Sequence, residues 1–276
     1  MHQSSRATHL CSPLTALSAA CLLMGAVQAG ETAPSAKEPA APPVIDTAPA
    51  KDWWFSATLY GWLTDTTGDI GVRGFTAPVN IGMDDVLDDL DFAYMSYFEI
   101  GRGKWSLGVD GVYAKLSDDQ TFAVGPVSGT ASLEQEEAFI TTRLQYRVVD
   151  TSRATIDVFT GFRWNYFSVD LDIDPNIGGR TFEVGRSEDW FDVIVGARAI
   201  IPMGDRWYFQ AAGDIGGFGG AESQLTWQAL AGFGYRFNNS VSAVCGYRAL
   251  GVDYEGGDFM LDVVSHGPAI GLNFTF

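Results

Sequence analysis

Ser265 and His266 stand side by side, and a serine with a histidine base is the smallest kit for nucleophilic hydrolysis. The other two histidines, His2 and His9, lie in the first ten residues, so His266 is the base to test. Adjacent residues of a strand point to opposite faces, so this pair cannot meet if the segment is extended. His266 then reads as a polar member of an outward-facing belt. A second constellation, Asp170, Asp172, Asp174 and Asn176, has the two-residue spacing of a calcium loop. The glycine and distal glutamate that such a loop requires are replaced by Pro175 and Thr181, which leaves simple strand alternation. Cys11 and Cys21 fall in an N-terminal leader and Cys245 on the apolar face of a strand, where it reads as a small hydrophobe. No phosphate-cradling glycine loop and no Cys/His cluster is present, so no catalytic set, cofactor or metal is expected.

What remains is charge, and its positions follow a period of two from Trp53 onward. In one segment Ile156, Val158, Thr160, Phe162, Trp164 and Tyr166 share a face, and Asp157, Phe159, Gly161, Arg163 and Asn165 share the other. Another segment sets Leu225, Trp227, Ala229, Ala231, Phe233, Tyr235 and Phe237 against Gln224, Thr226, Gln228, Gly232, Gly234 and Arg236. Aromatics gather at the ends of the apolar faces with small residues between them, the pattern of two interfacial girdles around a hydrocarbon band. The alternation lasts ten or more residues in most segments. A tilted strand needs about 9–11 residues to span a bilayer, against a mode of about 5–6 in soluble sheets. Alternation with this length and these faces predicts an all-β, antiparallel transmembrane barrel with its polar face inside.

The inward parity collects Glu99, Asp110, Glu137, Asp157, Asp192 and Asp214 together with Arg143, Arg147, Arg163, Arg198, Arg236 and Arg248. Six acids and six arginines on one face could pair inside a lumen and escape lipid, and Arg suits enclosed, multiply bonded pairs better than Lys. Which pairs form depends on shear and tilt, which a sequence does not give.

Composition fits a barrel. Aromatics make up 13% and glycines number 32 of 276 residues, both high for a soluble domain. No uninterrupted apolar stretch of about eighteen residues follows the first thirty, so no transmembrane helix is available. The formal charge of −17, from 17 Lys+Arg and 34 Asp+Glu, argues against nucleic acid and against a basic patch for anionic lipid. Acidity is otherwise a matter of solubility in transit, or of loops that meet divalent cations.

Residues 1–29 have the form of a signal peptide: Arg6, an apolar core from Leu14 to Val27, then Val27 and Ala29 at the positions a signal peptidase inspects. A lipoprotein leader ending at Cys21 fits less well, because Ser18 stands where a branched apolar residue belongs. Residues 30–51, dominated by Ala and Pro, read as a flexible periplasmic lead, and 52–276 as the barrel. Short turns are expected at 101–104, 150–153, 204–206 and 238–240. Longer loops are expected at 64–91, 119–131 and 174–187, with tight connections near 221 and 257. This predicts about ten strands, or eight or twelve, since the first loop can carry a hairpin of Ile70–Phe75 with Pro78–Ile81. Met83, Val86, Leu87 and Leu90 in that loop have helical spacing and predict a short helix capping the mouth, with a gating or receptor role as the alternative.

The final residues, Ala269–Phe276, place Gly271 before Phe274 and Phe276, aromatics two apart. This resembles the targeting signal of bacterial outer-membrane barrels. The segment Asp88–Leu116 is similar to the second and third strands of small OmpA-like and OmpW-like proteins of that superfamily. The resemblance covers residues 52–276 by pattern and the last strand by motif. It implies export to the outer membrane of a Gram-negative bacterium, surroundings of outer-membrane lipid and lipopolysaccharide, and insertion by the barrel-assembly machinery reading Gly271, Phe274 and Phe276. It carries no catalytic residues. Lipid-modifying and proteolytic outer-membrane enzymes need a histidine within reach of a nucleophile or at loop level, which weakens an enzymatic role. The expectation is a non-catalytic barrel, structural or interaction-facing, with a charge-paired lumen; a narrow pore for small solutes or ions is the first alternative and a lipid-modifying outer-membrane enzyme the second.

Overall fold

The computed structural model describes residues 53–276 except 73, 125–126, 176–181 and 220–221. The leader and the lead, read above as 1–29 and 30–51, therefore lie outside the described residues, as does Asn176. The chain opens with β1 (Trp54–Trp62), the hairpin β2 (Asp65–Val72) and β3 (Phe75–Ile81), and a short helix α1 (Met83–Asp89). Then come β4 (Leu90–Arg102), β5 (Trp105–Val124), β6 (Val127–Asp150), β7 (Thr155–Pro175) and β8 (Phe182–Met203). The wall is completed by β9 (Trp207–Gly216), β10 (Leu225–Arg236), β11 (Val241–Gly256) and β12 (Phe259–Thr275).

Ten of these strands close a barrel. β1 pairs with β4, consecutive strands pair antiparallel from β4 through β12, and β12 returns to β1 with Ser56 opposite Thr275 and Trp62 opposite Ala269. β12 is long enough to hold two partners in line. Its second half takes β1, and its first half takes β2, with His266 opposite Asp65 and Phe259 opposite Val72. The β2–β3 hairpin thus raises the wall above the barrel proper, and α1 leads from the free border of β3 back to β4. At α1, Asp85 accepts from the Gly82 backbone N–H (2.9 Å) and Asp65 from that of Met83 (2.9 Å), so two carboxylates hold the first turn where unpaired N–H groups point outward. Asp89 at its other end is pushed above the usual carboxylate range by partial burial, and by the neighbouring charges of Asp118, Asp85 and Asp88.

The faces fall as alternation demands. Val158, Phe162, Val195, Phe233 and Ile270 are exposed on the outside, while Asp157, Phe159, Arg163, Asn165, Thr226 and Gln228 are buried inside. Cys245 is exposed, on the apolar exterior. Outer aromatics pair near the turn end, Trp105 with Tyr146 (4.8 Å) and Trp207 with Tyr235 (5.0 Å), and again far from it, Phe92 with Tyr113 and Trp164 with Tyr166 (both 5.9 Å).

Two expected loops are corrected. The 119–131 and 174–187 stretches are strand for most of their length, because β5 to β8 run 20, 24, 21 and 22 residues. Only about 9–11 residues are needed to cross lipid, so the rest stands above the membrane. There both faces meet water, the apolar contrast vanishes, and Asp118, Asp119, Asp170, Asp172 and Asp174 disguise strand as loop. Among the described residues no group of acids, His and Cys could hold a metal, and the exposed Asp170, Asp172 and Asp174 alternate along β7. The expected connection near 221 falls on residues 220–221, outside the described residues; beside it Gly217 and Gly219 have positive φ (70° and 79°) and Ser223 is fully buried.

These faces make a direct test. Arg in place of Ala231, exposed on the outside of β10, should cost about 2–4 kcal/mol of folding free energy in bilayers. In a Cys245→Ala background, Ala231→Cys should react with a lipid-soluble label and Gln228→Cys with a water-soluble one. Urea unfolding from vesicles and labelling yields check both, and the opposite labelling would reverse the faces.

Candidate functional site

The inside of the barrel is built in layers along its axis. Nearest the short turns is a cavity of about 530 Å³, reached past Gly103, Asn238 and Ser240 and lined by Ser56, Thr58, Gln210, Asn273 and five arginines. Above it lies a belt of ion pairs. Farthest from the turns is an apolar cluster of Trp62, Phe167, Trp190, Leu250, Val252, Tyr254, Phe259 and Leu261.

Three arginines span the ionic belt. Arg198 on β8 reaches Glu99 on β4 with both terminal nitrogens (2.7 and 3.0 Å) and also holds Asp157 on β7 (2.7 Å). Glu99 additionally accepts from Ser106 (2.7 Å) and Gln145 (2.9 Å), so its lone pairs are occupied. Arg147 joins the same Asp157 at 3.1 Å. Arg248 on β11 crosses to Asp110 on β5 (2.9 Å), and donates to Gln228 (2.6 Å) and to the Tyr60 hydroxyl (2.6 Å). The third, Arg163 on β7, is 0% exposed and donates to Asp214 on β9 (2.6 Å), Thr226 on β10 (2.8 Å) and Thr141 on β6 (3.3 Å). Only a long side chain with a fork of donors can tie three strands at once, which is why these positions are Arg.

Four of the twelve inward charges join no ion pair among the described residues. Asp192, also 0% exposed, accepts from Asn165 (2.7 Å) and from the backbone N–H (2.7 Å) and hydroxyl (2.9 Å) of Ser223. It is thus bonded by Ser223 and Asn165 instead of an arginine, and Ser223 in turn accepts from the Trp190 indole (2.9 Å). Glu137 accepts from Gln135 (2.7 Å) beside a second, mostly apolar cavity of about 200 Å³ under α1. Arg143 lies between the rings of Tyr97 (4.9 Å) and Phe159 (5.1 Å), and Arg236 over Tyr208 (4.7 Å). Sequence reasoning missed these ring faces, as well as Tyr60, Gln145, Gln228 and Ser223. On the strands their signal was present only as inward parity, where neutral residues looked like filler, and Ser223, outside the strands, carried none.

Ser265 and His266 point apart. The serine is buried inside against Thr66 (2.9 Å), and His266 shares its Nδ1 with the Tyr247 hydroxyl on the exterior (2.7 Å). At the barrel seam Gly271 sits opposite Tyr60, where an added Cβ would lie 2.6 Å from the Tyr60 Cβ and 2.7 Å from the Leu59 carbonyl oxygen. Phe276 packs on Phe55 (6.1 Å) and Phe55 on Phe98 (6.3 Å), outside the same seam.

A closed antiparallel sheet of ten strands, apolar outside and ionic within, leaves one class of architecture. The fold is that of an outer-membrane β-barrel. The barrel superimposes on the outer-membrane protease OmpT of Escherichia coli with a TM-score of 0.57 at 10% identity, covering 84% of this chain and 99% of that one. Other matches are the translocator domain of the autotransporter NalP of Neisseria meningitidis (TM-score 0.45, 10% identity, 82% and 89% coverage) and the attachment invasion locus protein Ail of Yersinia pestis (0.32, 10%, 81% and 98%). At such identity the likeness speaks to the barrel fold alone. No family model and no curated protein matches the chain.

The barrel's ion pairs differ in wetness, and their mutants should differ accordingly. Arg163→Ala strands Asp214 in a dry site and should cost about 3–5 kcal/mol. Arg147→Ala, whose side chain is 22% exposed, should cost under about 1 kcal/mol. Urea midpoints in the same lipid measure both.

Proposed function

We propose that the protein is a non-conducting, non-catalytic outer-membrane barrel with a structural or interaction role. The observation that carries this reading is the completeness of the plug. The fully buried Arg163, with its partners Asp214, Thr141 and Thr226, lies between the turn-end cavity and an apolar roof. In that roof Trp190 stacks on Tyr254 (4.0 Å, 13° between planes) and Phe259 packs on Phe167 (6.0 Å). An ion entering from the turns would have to break charge-assisted bonds and then cross a dry aromatic layer. Short turns face the periplasm in such barrels, which puts the open cavity on that side and the raised wall of β5 to β8 outside the cell. That wall carries exposed ion pairs, Lys115 with Glu134 (2.6 Å) and Arg186 with Glu188, and suits contact with lipopolysaccharide head groups or another surface.

The rival reading is a narrow pore, for which the turn-end cavity would be a vestibule. Planar-bilayer recording of the purified protein separates the two. The expected result is no unitary conductance in molar salt, with steps appearing when Trp190→Ala and Phe259→Ala thin the roof. Stable steps from the unaltered protein would replace the plug by the pore.

A further inference from the structure

The turn-end cavity carries a charge of its own. Arg143, Arg147, Arg198, Arg236 and Arg248 line it, against the carboxylates of Glu99 and Asp110. Ion pairing absorbs most of this: Arg198 is held by Glu99 and Asp157, Arg147 by Asp157, and Arg248 by Asp110. Arg143 and Arg236 are left over, with no carboxylate at ion-pair distance among the described residues. A chain with a formal charge of −17 has therefore concentrated surplus cations in one enclosed space.

Arg143 is the sharper of the two. It is 7% exposed, its buried Nε has no hydrogen-bond partner among the described residues, the faces of Tyr97 and Phe159 lie against it, and Asp110 is near enough to feel its charge without pairing with it. Ring faces attract a cation by about 0.5–2 kcal/mol but accept none of the in-plane N–H bonds of a guanidinium. Two ring faces hold the cation without satisfying its donors. Arg236 over Tyr208 repeats the arrangement on β10, across the barrel from β6 and nearer the mouth. Buried donors are normally satisfied, and an enclosed cation without a counter-charge is costly unless a ligand supplies one.

We propose that this cavity is a periplasm-facing binding site for a small organic anion bearing carboxylate or phosphate groups, with Arg143 and Arg236 as its two cationic poles. The volume of about 530 Å³ lies within the range of small-molecule pockets. Charge-assisted bonds to the two lining guanidiniums supply recognition, and Gln210 and Thr58 on the lining offer neutral donors for hydroxyls. Low-dielectric walls focus the field of the surplus cations toward the mouth and draw anions in from an otherwise acidic exterior. The site does not require conduction, since it opens at one end.

The test is calorimetric titration of the full-length, detergent-solubilised barrel with citrate and with inorganic pyrophosphate at low salt. Saturable binding is expected for at least one of them, weakened about ten-fold or more by Arg236→Gln, by Arg143→Gln and by Gln210→Glu, which supplies the missing counter-charge from the wall. Without anion, Arg143→Gln should be as stable as the unaltered protein or more so, because it removes an uncompensated buried charge. If Arg143→Gln does not fold, Arg236→Gln and Gln210→Glu carry the test, since both change the cavity without touching the ionic belt. Absence of saturable binding by both anions, or equal affinity in all variants, would overturn the site. So would a large stability loss in anion-free Arg143→Gln, which would make that arginine a structural strut. Bilayer conductance from the same preparation is an independent readout: binding together with open channels would keep the site while removing the plug.

Discussion

Backbone pairing between β1 and β12 joins the two ends of the sheet, and the rest of the molecule depends on that closure. Lipid offers no partner for an N–H or C=O, so an open edge at membrane depth would leave a row of groups costing several kcal/mol each. Closure removes the edges and, in the same step, creates an inside that lipid cannot reach. Small details at the seam serve it. Gly271 leaves room for Tyr60 opposite, and Tyr60 in turn reaches inward to Asp110 (2.7 Å). A side chain at 271 would press on the strand that completes the ring. Above the membrane the constraint relaxes, and there the ring is no longer complete: among the described residues β3 keeps a free border, and α1 follows it in the chain.

Once the interior exists it must be filled or wetted, and this barrel does both at different depths. Charged groups far from water tolerate burial only when well bonded, and Arg163 and Asp192 each make three hydrogen bonds at 0% exposure. The three spanning arginines make the interior stiff in cross-section, since each ties strands that are not neighbours in the sheet. Asp192 uses its bonds differently. It holds Ser223 inside the lumen, and Trp190, bonded to the same serine, belongs to the apolar roof. Polar satisfaction and hydrophobic closure are thus one device.

How far the sequence disclosed this depends on which physical signal each feature leaves. The faces were legible because lipid punishes a misplaced charge: Phe162 outside and Arg163 inside differ by one residue and cannot be exchanged. Barrel strand number was legible through the short turns, and α1 through the spacing of Met83, Val86 and Leu87. The raised ends of β5 to β8 were not, since a strand with water on both faces has no apolar rhythm. Charge partners were not legible either. Parity puts Arg248 and Asp110 on the same face, but only ring geometry brings β11 across to β5. Equal numbers of acids and arginines suggested general pairing, whereas distribution along the axis decides it, and that coordinate is absent from a count.

The four charges outside the ion pairs are not sorted by depth alone. Glu137 lies beyond the ionic belt and Arg236 near the short turns, whereas Asp192 stands opposite Arg163 and Arg143 opposite Gly161, level with the belt. A balanced interior could have matched them, and their separation leaves each to a different kind of partner. Asp192 has backbone and side-chain donors supplied by its own chain, and Glu137 has the Gln135 amide. For the arginines the chain supplies ring faces, which steady a cation without accepting its hydrogen bonds. Acids are therefore answered from within the fold, while these two cations line the cavity that opens at the turns. That asymmetry stands out in a chain with twice as many acids as bases.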